Sequence, residues 1–413
     1  MINLKLLREK PKEITELILR KEPKFKIEKL VELDSKLKTL KLEIQDLRQE
    51  KNKLAQQASS GGVTSELREK SIQIGRVLKS KEKEFLEIEP IFDKLLLSCP
   101  NVPQQDVPLG NKESNCVIKT FGKKKEFGFV PRNHVELGES LGWLDFDAAT
   151  KMSGSNFALY KNQAVKLMYV LTHLMIKNNV KYGFNPILPP YLVTENSLVN
   201  SGNLPKFEGD FYKTQDGLCL IPTAEVSLTN LYVNQILTKE KLPVRHTAWT
   251  SCFRREAGGY GSTDRGLIRI HQFEKVENYS ICEPEKSNNE LQLMIDCAQD
   301  LLKQFGLHYR VSLLAAQDCS FSSAKTYDIE VWLPGQKEYY ELSSCSNCTD
   351  FQSRRAKIRY RKLTDSKPEL VHTLNASSLA LPRLMVALME TYQKEDGTIE
   401  FPTVIKDLMD QIW

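Results

Sequence analysis

Apolar residues recur every three or four positions in two stretches near the start of the chain. The stretches flank a short polar segment, Ser59 to Gly62. This spacing is that of a heptad seam, and a short connection makes two such helices antiparallel neighbours. We therefore predict a coiled-coil hairpin over about residues 27–97, about 40 Å long. The seam positions are Leu30, Leu33, Leu37, Leu40, Ile44, Leu47 and Leu54, then Leu67, Ile74, Leu78, Phe85, Ile88, Phe92 and Leu95.

The pattern changes after Ser98, where proline, glycine and asparagine interrupt any regular element. Further on, Gln163 to Lys177 has helical spacing, whereas Tyr327 to Leu333 alternates strictly between apolar and polar residues. Pro334 and Gly335 can turn that strand back into a hairpin with 338–344. The sequence thus predicts an α+β protein built on an antiparallel sheet. Its predicted parts are a helical arm at 1–98, a linker at 99–125 and a larger domain at 126–413.

Composition narrows the class of protein. The chain has 413 residues, enough for two or three domains, and 41% hydrophobic with 27% charged residues indicates a folded rather than a disordered protein. No apolar run is long enough for a membrane span, and charged residues interrupt the first twenty positions where a signal peptide would need an apolar core. Nine cysteines without a framework spacing favour a reducing compartment. We therefore expect a cytoplasmic protein.

The net charge is only +5, but the distribution of charge along the arm is uneven. Residues 36–83 hold twelve Lys and Arg against six Asp and Glu, whereas 26–35 and 84–94 together hold three Lys against seven acidic residues. A rod that is basic at its far end suits a nucleic-acid phosphate backbone, although an oligomerisation coiled coil with a solvated face stays open. The candidate phosphate contacts are Lys36, Lys38, Lys41, Arg48, Lys51 and Lys53.

The segment with the most chemistry runs from Phe253 to Glu277 and reads Phe-Arg-x-Glu, a glycine-rich loop, then Arg-x-x-x-Phe-x-x-x-Glu. If two paired strands carry it, one face offers guanidinium groups, an aromatic ring and carboxylates. Arginine can hold phosphate through a bidentate fork and Phe273 can stack on a purine, so this set suits ATP bound against a sheet. Neither GxxxxGK[ST] nor GxGxxG is present, which argues against the two commonest nucleotide-binding motifs.

On these residues the chain resembles the class II aminoacyl-tRNA synthetases, and specifically the seryl-tRNA synthetases of bacterial type. The segment from Arg254 to Glu277 resembles the second motif of the class, 183–190 its first motif, and 379–390 around Arg383 its third. Thr223-Ala224-Glu225 resembles the Thr-x-Glu signature of the seryl family. The resemblance implies an antiparallel-sheet catalytic domain, a homodimer formed through the first motif, and an arm that grips serine tRNA.

The resemblance also implies individual roles. It places catalysis on Arg254, Glu256 and Arg383, and ATP binding on these three with Arg255, Arg269, Ile270, Phe273, Glu341, Leu342, Ser343 and Ser344. It places serine binding on Thr223, Ala224, Glu225, Glu277, Asn375 and Ser377. Glu341 and Ser344 would hold Mg²⁺ with ATP, and Arg265 in the glycine-rich loop would join the arm residues in binding tRNA.

The implied reaction is ATP-dependent ligation of L-serine to tRNA(Ser) through a seryl-adenylate, with the same charging of tRNA(Sec) where that tRNA exists. The expected cofactors are ATP and Mg²⁺, and no zinc is expected because Cys345-x-x-Cys348 has no second pair. Two alternatives are a ligase that passes its amino acid to a carrier protein and a paralogue that binds tRNA without catalysis. The first lacks the long arm in its own family, and the second would lose active-site charges that this chain keeps.

One departure from the family pattern stands out. The third-motif region reads Asn375-Ala376-Ser377-Ser378, where the family usually has glycine after the asparagine. Ser378 and Pro382 also occupy positions that are often small or glycine. An extra methyl group at Ala376 would restrict φ or crowd the serine pocket if it pointed there.

Overall fold

A computed structural model describes residues 1–257 and 266–412 of the chain. These residues form two compact units. One consists of Glu22–Cys99, and the other of Met1–Lys21 together with Pro100–Trp413. The end of the first unit coincides with the boundary expected from the sequence, but the first 21 residues do not belong to it. The N-terminal ammonium group of Met1 donates to the carbonyl of Phe351, and Lys21 donates to the carbonyl of Ser323, which ties this segment to the larger unit.

The smaller unit is a helix pair, α3 (Ile27–Gly61) and α4 (Ser65–Leu97). Ion pairs cross between the helices, among them Lys36 with Glu84 at 2.8 Å, Lys81 with Glu43 at 2.8 Å and Lys70 with Glu50 at 3.1 Å. Residue numbers fall on α4 as they rise on α3, so the helices are antiparallel as predicted. The predicted seam is buried at Leu37, Leu40, Ile44, Leu54, Ile74 and Leu78.

The turn of this hairpin is tighter than the sequence suggests. We expected a break from Ser59, whereas α3 continues to Gly61 because serine hydroxyls bond back to carbonyls four residues earlier, as Ser59 does to Ala55 at 2.9 Å. Gly62 then turns the chain at φ +84°, and the hydroxyl of Thr64 accepts from the amide of Leu67 to begin α4. The 35 residues of α3 correspond to about 50 Å, somewhat longer than predicted.

The larger unit is built on an eight-stranded sheet in the order β1-β8-β9-β10-β13-β7-β6-β2. Its strands are β1 (Cys116–Phe121), β2 (Asn185–Pro186), β6 (Val244–Phe253), β7 (Gln272–Cys282), β8 (Tyr309–Leu313), β9 (Lys325–Leu333), β10 (Glu338–Thr349) and β13 (His372–Ala380). All neighbours are antiparallel except β2 and β6. The predicted α+β class and the hairpin of β9 with β10 are therefore confirmed.

Two smaller sheets complete the strands. They consist of β3 (Leu192–Val193) with β4 (Cys219–Leu220), and of β5 (Ile236–Thr238), β11 (Arg359–Arg361) and β12 (Glu369–Leu370). The helices are α1 (Leu4–Glu9), α2 (Pro11–Lys21), α5 (His134–Ser140), α6 (Phe146–Ser153), α7 (Gln163–Lys181), α8 (Glu195–Ser201), α9 (Ala224–Asn230), α10 (Ser287–Gln304), α11 (Phe351–Ala356), α12 (Leu381–Tyr392) and α13 (Thr403–Ile412).

Side-chain alternation gives the large sheet one apolar and one polar face. Helices α7, α10 and α12 pack against the sheet, and their apolar residues share one hydrophobic cluster with Val276, Ile329, Val331, Leu374 and Ala376. The neighbours of these residues along each strand point to the opposite face. That second face carries Lys275, Glu277, Asp328, Asn375 and Ser377, and the candidate site lies there.

The predicted linker contains more structure than expected. Within 99–125 the structure has a 3₁₀ turn, Lys112–Ser114, and the strand β1, which pairs with β8 at the sheet edge. The strand was missed because its side chains are exposed and lack the alternation that marks a half-buried strand. Among residues 1–257 and 266–412, no helix combines the length and apolar character that crossing a membrane requires.

Candidate active site

Two adjoining cavities open on the polar face of the large sheet. The first has a volume of about 200 Å³ and the second about 490 Å³. Six residues line both cavities and so form their common wall: Arg254, Glu256, Arg269, Lys275, Glu341 and Ser377. Because this wall carries three cations beside its two carboxylates, the cavities suit two substrates that react with each other through an anionic group.

The first cavity combines an aromatic ring with two arginines. The guanidinium carbon of Arg254 lies 5.1 Å from the ring centroid of Phe273. At the opposite wall, Arg383 near the start of α12 donates to the carbonyl of Glu341 at 2.8 Å and to that of Ile268 at 3.2 Å. The rest of the lining is mostly apolar and consists of Leu267, Ile268, Ile270, Leu342, Ala380 and Pro382. The cavity thus offers a stacking surface at one side and fixed positive charge at the other.

The arginines of the second motif lie outside the two strands that we expected to carry them. Backbone contacts and an ion pair hold them in place. Strand β6 ends at Phe253 and β7 begins at Gln272, so Arg254 and Arg269 lie just outside the two strands. The amide of Arg254 still donates to the carbonyl of His271 at 2.9 Å, and its Nε donates to the carbonyl of Pro222 at 3.3 Å. Arg269 pairs with Glu256 at 2.5 Å.

The second cavity contains the polar groups expected to bind an amino acid. Thr223 caps α9, and its hydroxyl accepts from the amide of Glu225 at 3.3 Å and from the ammonium group of Lys275 at 2.9 Å. Thr223, Glu225, Lys275, Asn375 and Ser377 all line the cavity. The Thr-x-Glu signature is therefore both a helix cap and a cavity wall.

Glu277 occupies a deeper position than expected. Its side chain is fully buried and lines neither cavity. The ammonium group of Lys275 lies 2.5 Å from one carboxylate oxygen, and the amide of Asn375 donates to the other at 3.3 Å. Glu277 therefore lies behind these two side chains, with its charge compensated by Lys275.

The carboxyl group of Glu225 has a raised pKa. Burial, and next the negative charge of Glu277, raise the pKa of the Glu225 carboxyl from 4.5 to about 7. A hydrogen bond from Gln352 and the positive charges of Lys275 and Arg254 oppose this increase. The carboxyl group thus titrates near neutral pH in the folded chain, and an arriving cation would favour its ionised form.

A β-bulge brings Glu341 and Ser344 onto one face of β10. Glu341 pairs with Glu330 of β9, Ser343 pairs with Ile329, and Leu342 has no opposing residue. In a regular strand, residues three apart point to opposite faces, but the extra residue reverses the alternation. Both Glu341 and Ser344 therefore line the second cavity.

The oxygen atoms around this bulge suit a hard divalent cation. Asp328 lies opposite Ser344, is half-buried, and has a carboxylate oxygen, Oδ1, without a hydrogen-bond partner. Burial, and next the charge of Glu341, raise the pKa of Asp328, whereas a hydrogen bond from Ser344 opposes the increase. Mg²⁺ is usually held by one or two carboxylates together with substrate phosphates, and Glu341 with Ser344 fits that pattern. The described residues contain no group of three or more His, Cys, Asp and Glu side chains that could hold a metal.

Three of the residues expected to bind ATP or serine, besides Glu277, do not line either cavity: Arg255, Ala224 and Ser343. Arg255 is exposed, Ala224 is buried as the first residue of α9, and the hydroxyl of Ser343 donates to the carbonyl of Ser377. The remaining ones are brought together as expected. Arg265 lies outside the described residues.

The substitution at Ala376 has a structural explanation. Its side chain is 1% exposed and belongs to the hydrophobic cluster on the opposite face of β13 from Asn375 and Ser377. Its φ is not positive. The methyl group therefore neither strains the backbone nor enters the amino-acid cavity. Ser378 is also buried, and its hydroxyl donates to the side chain of Asn179 at 3.0 Å.

Sequence reasoning missed Lys275, which lines both cavities and binds Thr223 and Glu277. A signal was available, because Phe273, Lys275 and Glu277 share one face of β7 by simple alternation. Sequence reasoning also missed Gln352 on α11, whose distance of 127 residues from Glu225 left no pattern to detect.

In the helix pair, the six basic candidates fall into two groups. Lys36 pairs with Glu84, and Arg48 pairs with Glu82 at 2.7 Å. The other four are exposed, and within the described part of the chain no ion pair involves them: Lys38, Lys41, Lys51 and Lys53.

Comparison with known proteins gives a consistent result over the whole chain. A family model described as the tRNA synthetase class II core domain (G, H, P, S and T) matches residues 206–392, and one described as the seryl-tRNA synthetase N-terminal domain matches residues 1–103. The serine–tRNA ligase of Desulfotalea psychrophila is 48% identical over 337 residues, which cover 81% of this chain and 79% of that protein.

Two solved structures are similar along nearly the full length. The seryl-tRNA synthetase of Pyrococcus horikoshii complexed with ATP has a TM-score of 0.94 and 35% identity, covering 99% of this chain and 98% of that one. The cytoplasmic serine–tRNA ligase of Naegleria fowleri in complex with AMP has a TM-score of 0.88 and 27% identity, covering 99% and 97%.

The titration of Glu225 predicts a pH-dependent stability difference. Because the folded state holds this proton more tightly than the unfolded chain, native stability falls as the pH rises from 4.5 to 7. We therefore compare the free energy of unfolding of Glu225→Gln with that of the unaltered protein at each pH. The value for the variant minus the value for the unaltered protein should rise by about 1 to 3 kcal/mol between pH 4.5 and pH 8. Urea unfolding at several pH values measures the difference.

The control for this experiment is Glu338→Gln, which removes an exposed carboxylate at the start of β10. It should change stability by less than about 0.5 kcal/mol throughout the pH range. A Glu225→Gln difference that stays constant with pH would contradict a raised pKa.

Proposed function

This chain belongs to the seryl-tRNA synthetase family of class II aminoacyl-tRNA synthetases and is a serine–tRNA ligase, and on that premise we propose that its two adjoining cavities hold ATP and L-serine side by side. The observation that carries the proposal is the common wall. Arg254 and Lys275 line both cavities, so the group that serine presents and the phosphate that ATP presents would meet at the same cations.

In the first step, the serine carboxylate attacks the α-phosphorus of ATP. A carboxylate oxygen forms a bond to phosphorus while the bond to the β-phosphate oxygen breaks, giving seryl-adenylate and pyrophosphate. The attacking carboxylate is already ionised, so this step needs positioning and charge stabilisation rather than a general base. We assign the α-phosphate to Arg254 and the terminal phosphates to Arg383.

ATP recognition follows from the lining of the first cavity. The adenine ring would stack on Phe273, between that ring and the apolar lining that includes Ile270 and Leu342. Glu256 is held by Arg269, so it can accept a hydrogen bond from the purine amino group without an unpaired charge. Glu341 and Ser344 would hold Mg²⁺, which when bound neutralises phosphate charge and orients the pyrophosphate leaving group.

Serine recognition uses the second cavity. Glu225 would bind the ammonium group beside Thr223, with the backbone at Ala224 setting the turn between them. Asn375 and Ser377 would meet the hydroxyl group, and Glu277 acts from behind by orienting Asn375. Alanine lacks this hydroxyl group and would leave the buried polar groups without a hydrogen-bond partner. The cavity would therefore select against alanine.

In the second step, the terminal ribose hydroxyl of tRNA attacks the seryl carbonyl, and AMP leaves. We propose that the helix pair of residues 27–97 binds the tRNA(Ser) backbone, and that Arg265 contacts the same tRNA near its acceptor end. The four exposed lysines without ion pairs support this role, because their charges are available to phosphates. Charging of tRNA(Sec) would follow from the same surface, since contacts to phosphates do not read sequence.

We also propose a homodimer in the cytoplasm. Strand β2 lies at one edge of the large sheet, and Leu188 just beyond it is 73% exposed, which suits an apolar contact between two copies at the first motif. Eight of the nine cysteines are buried, as suits a reducing compartment. Sedimentation velocity tests the dimer.

Pyrophosphate exchange with each of the twenty amino acids, followed by transfer to total tRNA and to a carrier protein, tests the function. Serine-dependent exchange with transfer to tRNA is expected. Transfer only to the carrier protein would support the carrier-protein ligase, and no exchange with any amino acid would support a paralogue that only binds tRNA.

Arg254→Ala should reduce serine-dependent exchange at least a hundredfold, because it removes a preorganised positive charge from the reacting phosphate. Binding of tRNA, measured by filter retention, should change less than about threefold. Arg255→Ala is the matched comparison, since its exposed side chain lies outside both linings and should leave exchange within about threefold. Equal losses in the two variants would contradict the assignment.

Replacing Lys38, Lys41, Lys51 and Lys53 together by glutamine should weaken tRNA(Ser) binding at least tenfold at 0.1 M salt. The slope of log affinity against log salt should fall by about one unit for each phosphate that the variant no longer neutralises, while exchange stays unchanged. The matched control replaces four exposed lysines of the larger unit: Lys112, Lys119, Lys123 and Lys337. An unchanged salt slope in the arm variant would show that these lysines do not contact phosphate.

A further inference from the structure

Gln352 on α11 is a fully buried polar residue that lies outside both cavity linings and has no role in the reaction described above. Its side chain nevertheless reaches the amino-acid cavity indirectly. The amide nitrogen Nε2 donates to Oε1 of Glu225 at 2.5 Å. Gln352 is therefore one hydrogen bond removed from the carboxylate that we assign to the serine ammonium group.

The remaining bonds of Gln352 fix its orientation. Nε2 also donates to the carbonyl of Ser201 at 2.9 Å, while Oε1 accepts from the hydroxyl of Tyr279 at 3.1 Å and from that of Thr373 at 2.7 Å. A primary amide has two donor hydrogens and two acceptor lone pairs, so all four are used.

This bonding pattern also settles which end of the amide faces Glu225. Reversing the amide would place its oxygen against the carbonyl oxygen of Ser201, which can never donate, and against Glu225, which can donate only when it is protonated. The nitrogen must therefore face the carboxylate. Because the four partners come from the segment at the end of α8, from α9, β7 and β13, the amide has no alternative position that keeps its bonds.

Charged groups surround Glu225 from several elements. Glu277 on β7 opposes its ionisation, while Lys275 on the same strand and Arg254 after β6 favour it. The buried thiol of Cys348 on β10 also interacts with Glu225. Among these, Gln352 is a neutral group that donates directly to the carboxylate, so it favours the ionised form without adding a charge that could pair with the substrate.

We propose that Gln352 is a positioning residue for amino-acid activation, which holds the Glu225 carboxylate directed into the cavity to receive the ammonium group of serine. The inference rests on the proposed function, because it takes serine as the ligand of Glu225. It adds a residue from a separate helix to the determinants of serine binding. It also explains why a buried glutamine with four satisfied bonds occurs behind this cavity.

The test compares Gln352→Met and Gln352→Glu in the full-length protein. Methionine has a similar length but cannot donate to Glu225, and glutamate keeps the shape while adding a second acceptor. In pyrophosphate exchange at pH 7, both should raise the KM for serine about tenfold or more, since each loses a hydrogen bond to a charged group. The KM for ATP and the kcat should stay within about threefold.

The pH profile separates positioning from a general loss of structure. Serine binding needs ionised Glu225, so the KM for serine rises as the pH falls through the pKa of that group. Without the amide donor, the carboxyl of Glu225 should lose its proton only at higher pH, so the rise in the KM for serine should begin at higher pH. Gln352→Met should therefore recover most of its serine affinity by pH 8.5. Direct titration of L-serine by calorimetry provides the same comparison without catalysis.

A matched control is Gln299→Met. Gln299 on α10 is also buried and its Oε1 accepts from a buried tyrosine hydroxyl, that of Tyr309 at 3.2 Å. It lines neither cavity. This variant should match the Gln352 variants in the cost of removing a buried amide, but its KM for serine and its pH profile should equal those of the unaltered protein.

The outcomes are distinct. A folded Gln352→Met or Gln352→Glu protein whose serine KM stays within about twofold of the Gln299→Met value overturns the inference, as does a parallel rise in the KM for serine and ATP. If one variant does not fold, the other decides. Absence of serine-dependent exchange in the unaltered protein overturns the proposed function and this inference together, whereas normal serine exchange with unshifted Gln352 variants overturns this inference alone.

Discussion

Two carboxylates, Glu225 and Glu277, approach one another in the interior of this protein, and much of the surrounding structure compensates their charge. Glu277 is neutralised by Lys275, and Glu225 by a hydrogen bond from Gln352 and by more distant cations. Uncompensated charges would be costly at this depth. The arrangement leaves Glu225 the less fully compensated of the two, so a cationic substrate group would complete the charge balance. Under the proposed assignment, the ammonium group of serine would supply that charge.

The same residues are structural and functional at once. Thr223 caps α9 and accepts from Lys275, and Lys275 joins Thr223 on one side to Glu277 on the other. Such shared contacts mean that effects of substitution at these positions will not add, because each change removes a partner of its neighbour. Cooperative polar networks of this kind hold their members in a single geometry when every group is satisfied. Preorganisation of the amino-acid cavity follows from the fold itself.

The sequence was sufficient for the features that depend on spacing. The seam through Leu37, Leu40 and Ile44 predicted the helix pair, and alternation from Tyr327 to Leu333 predicted β9. It was not sufficient where depth or a distant partner decides the outcome. Glu277 was expected to contact serine, and alternation gives the face that its side chain occupies but not its depth behind Lys275 and Asn375. Gln352 was invisible because its contact with Glu225 depends on tertiary packing. The strand β1 was missed because its exposed residues have no apolar period.

The bulge at Leu342 limits how the length of this segment can change during evolution or protein engineering. Glu341 and Ser344 share a face only because one additional residue separates them, so the proposed metal site depends on a counted interval as well as on both oxygen-bearing side chains. Shortening that interval by a single codon would leave both donors in the protein and turn one of them into the core. The segment 341–344 is therefore constrained in its length as well as in its residues, and an insertion or deletion there would cost the site a ligand that no substitution elsewhere in the segment could restore.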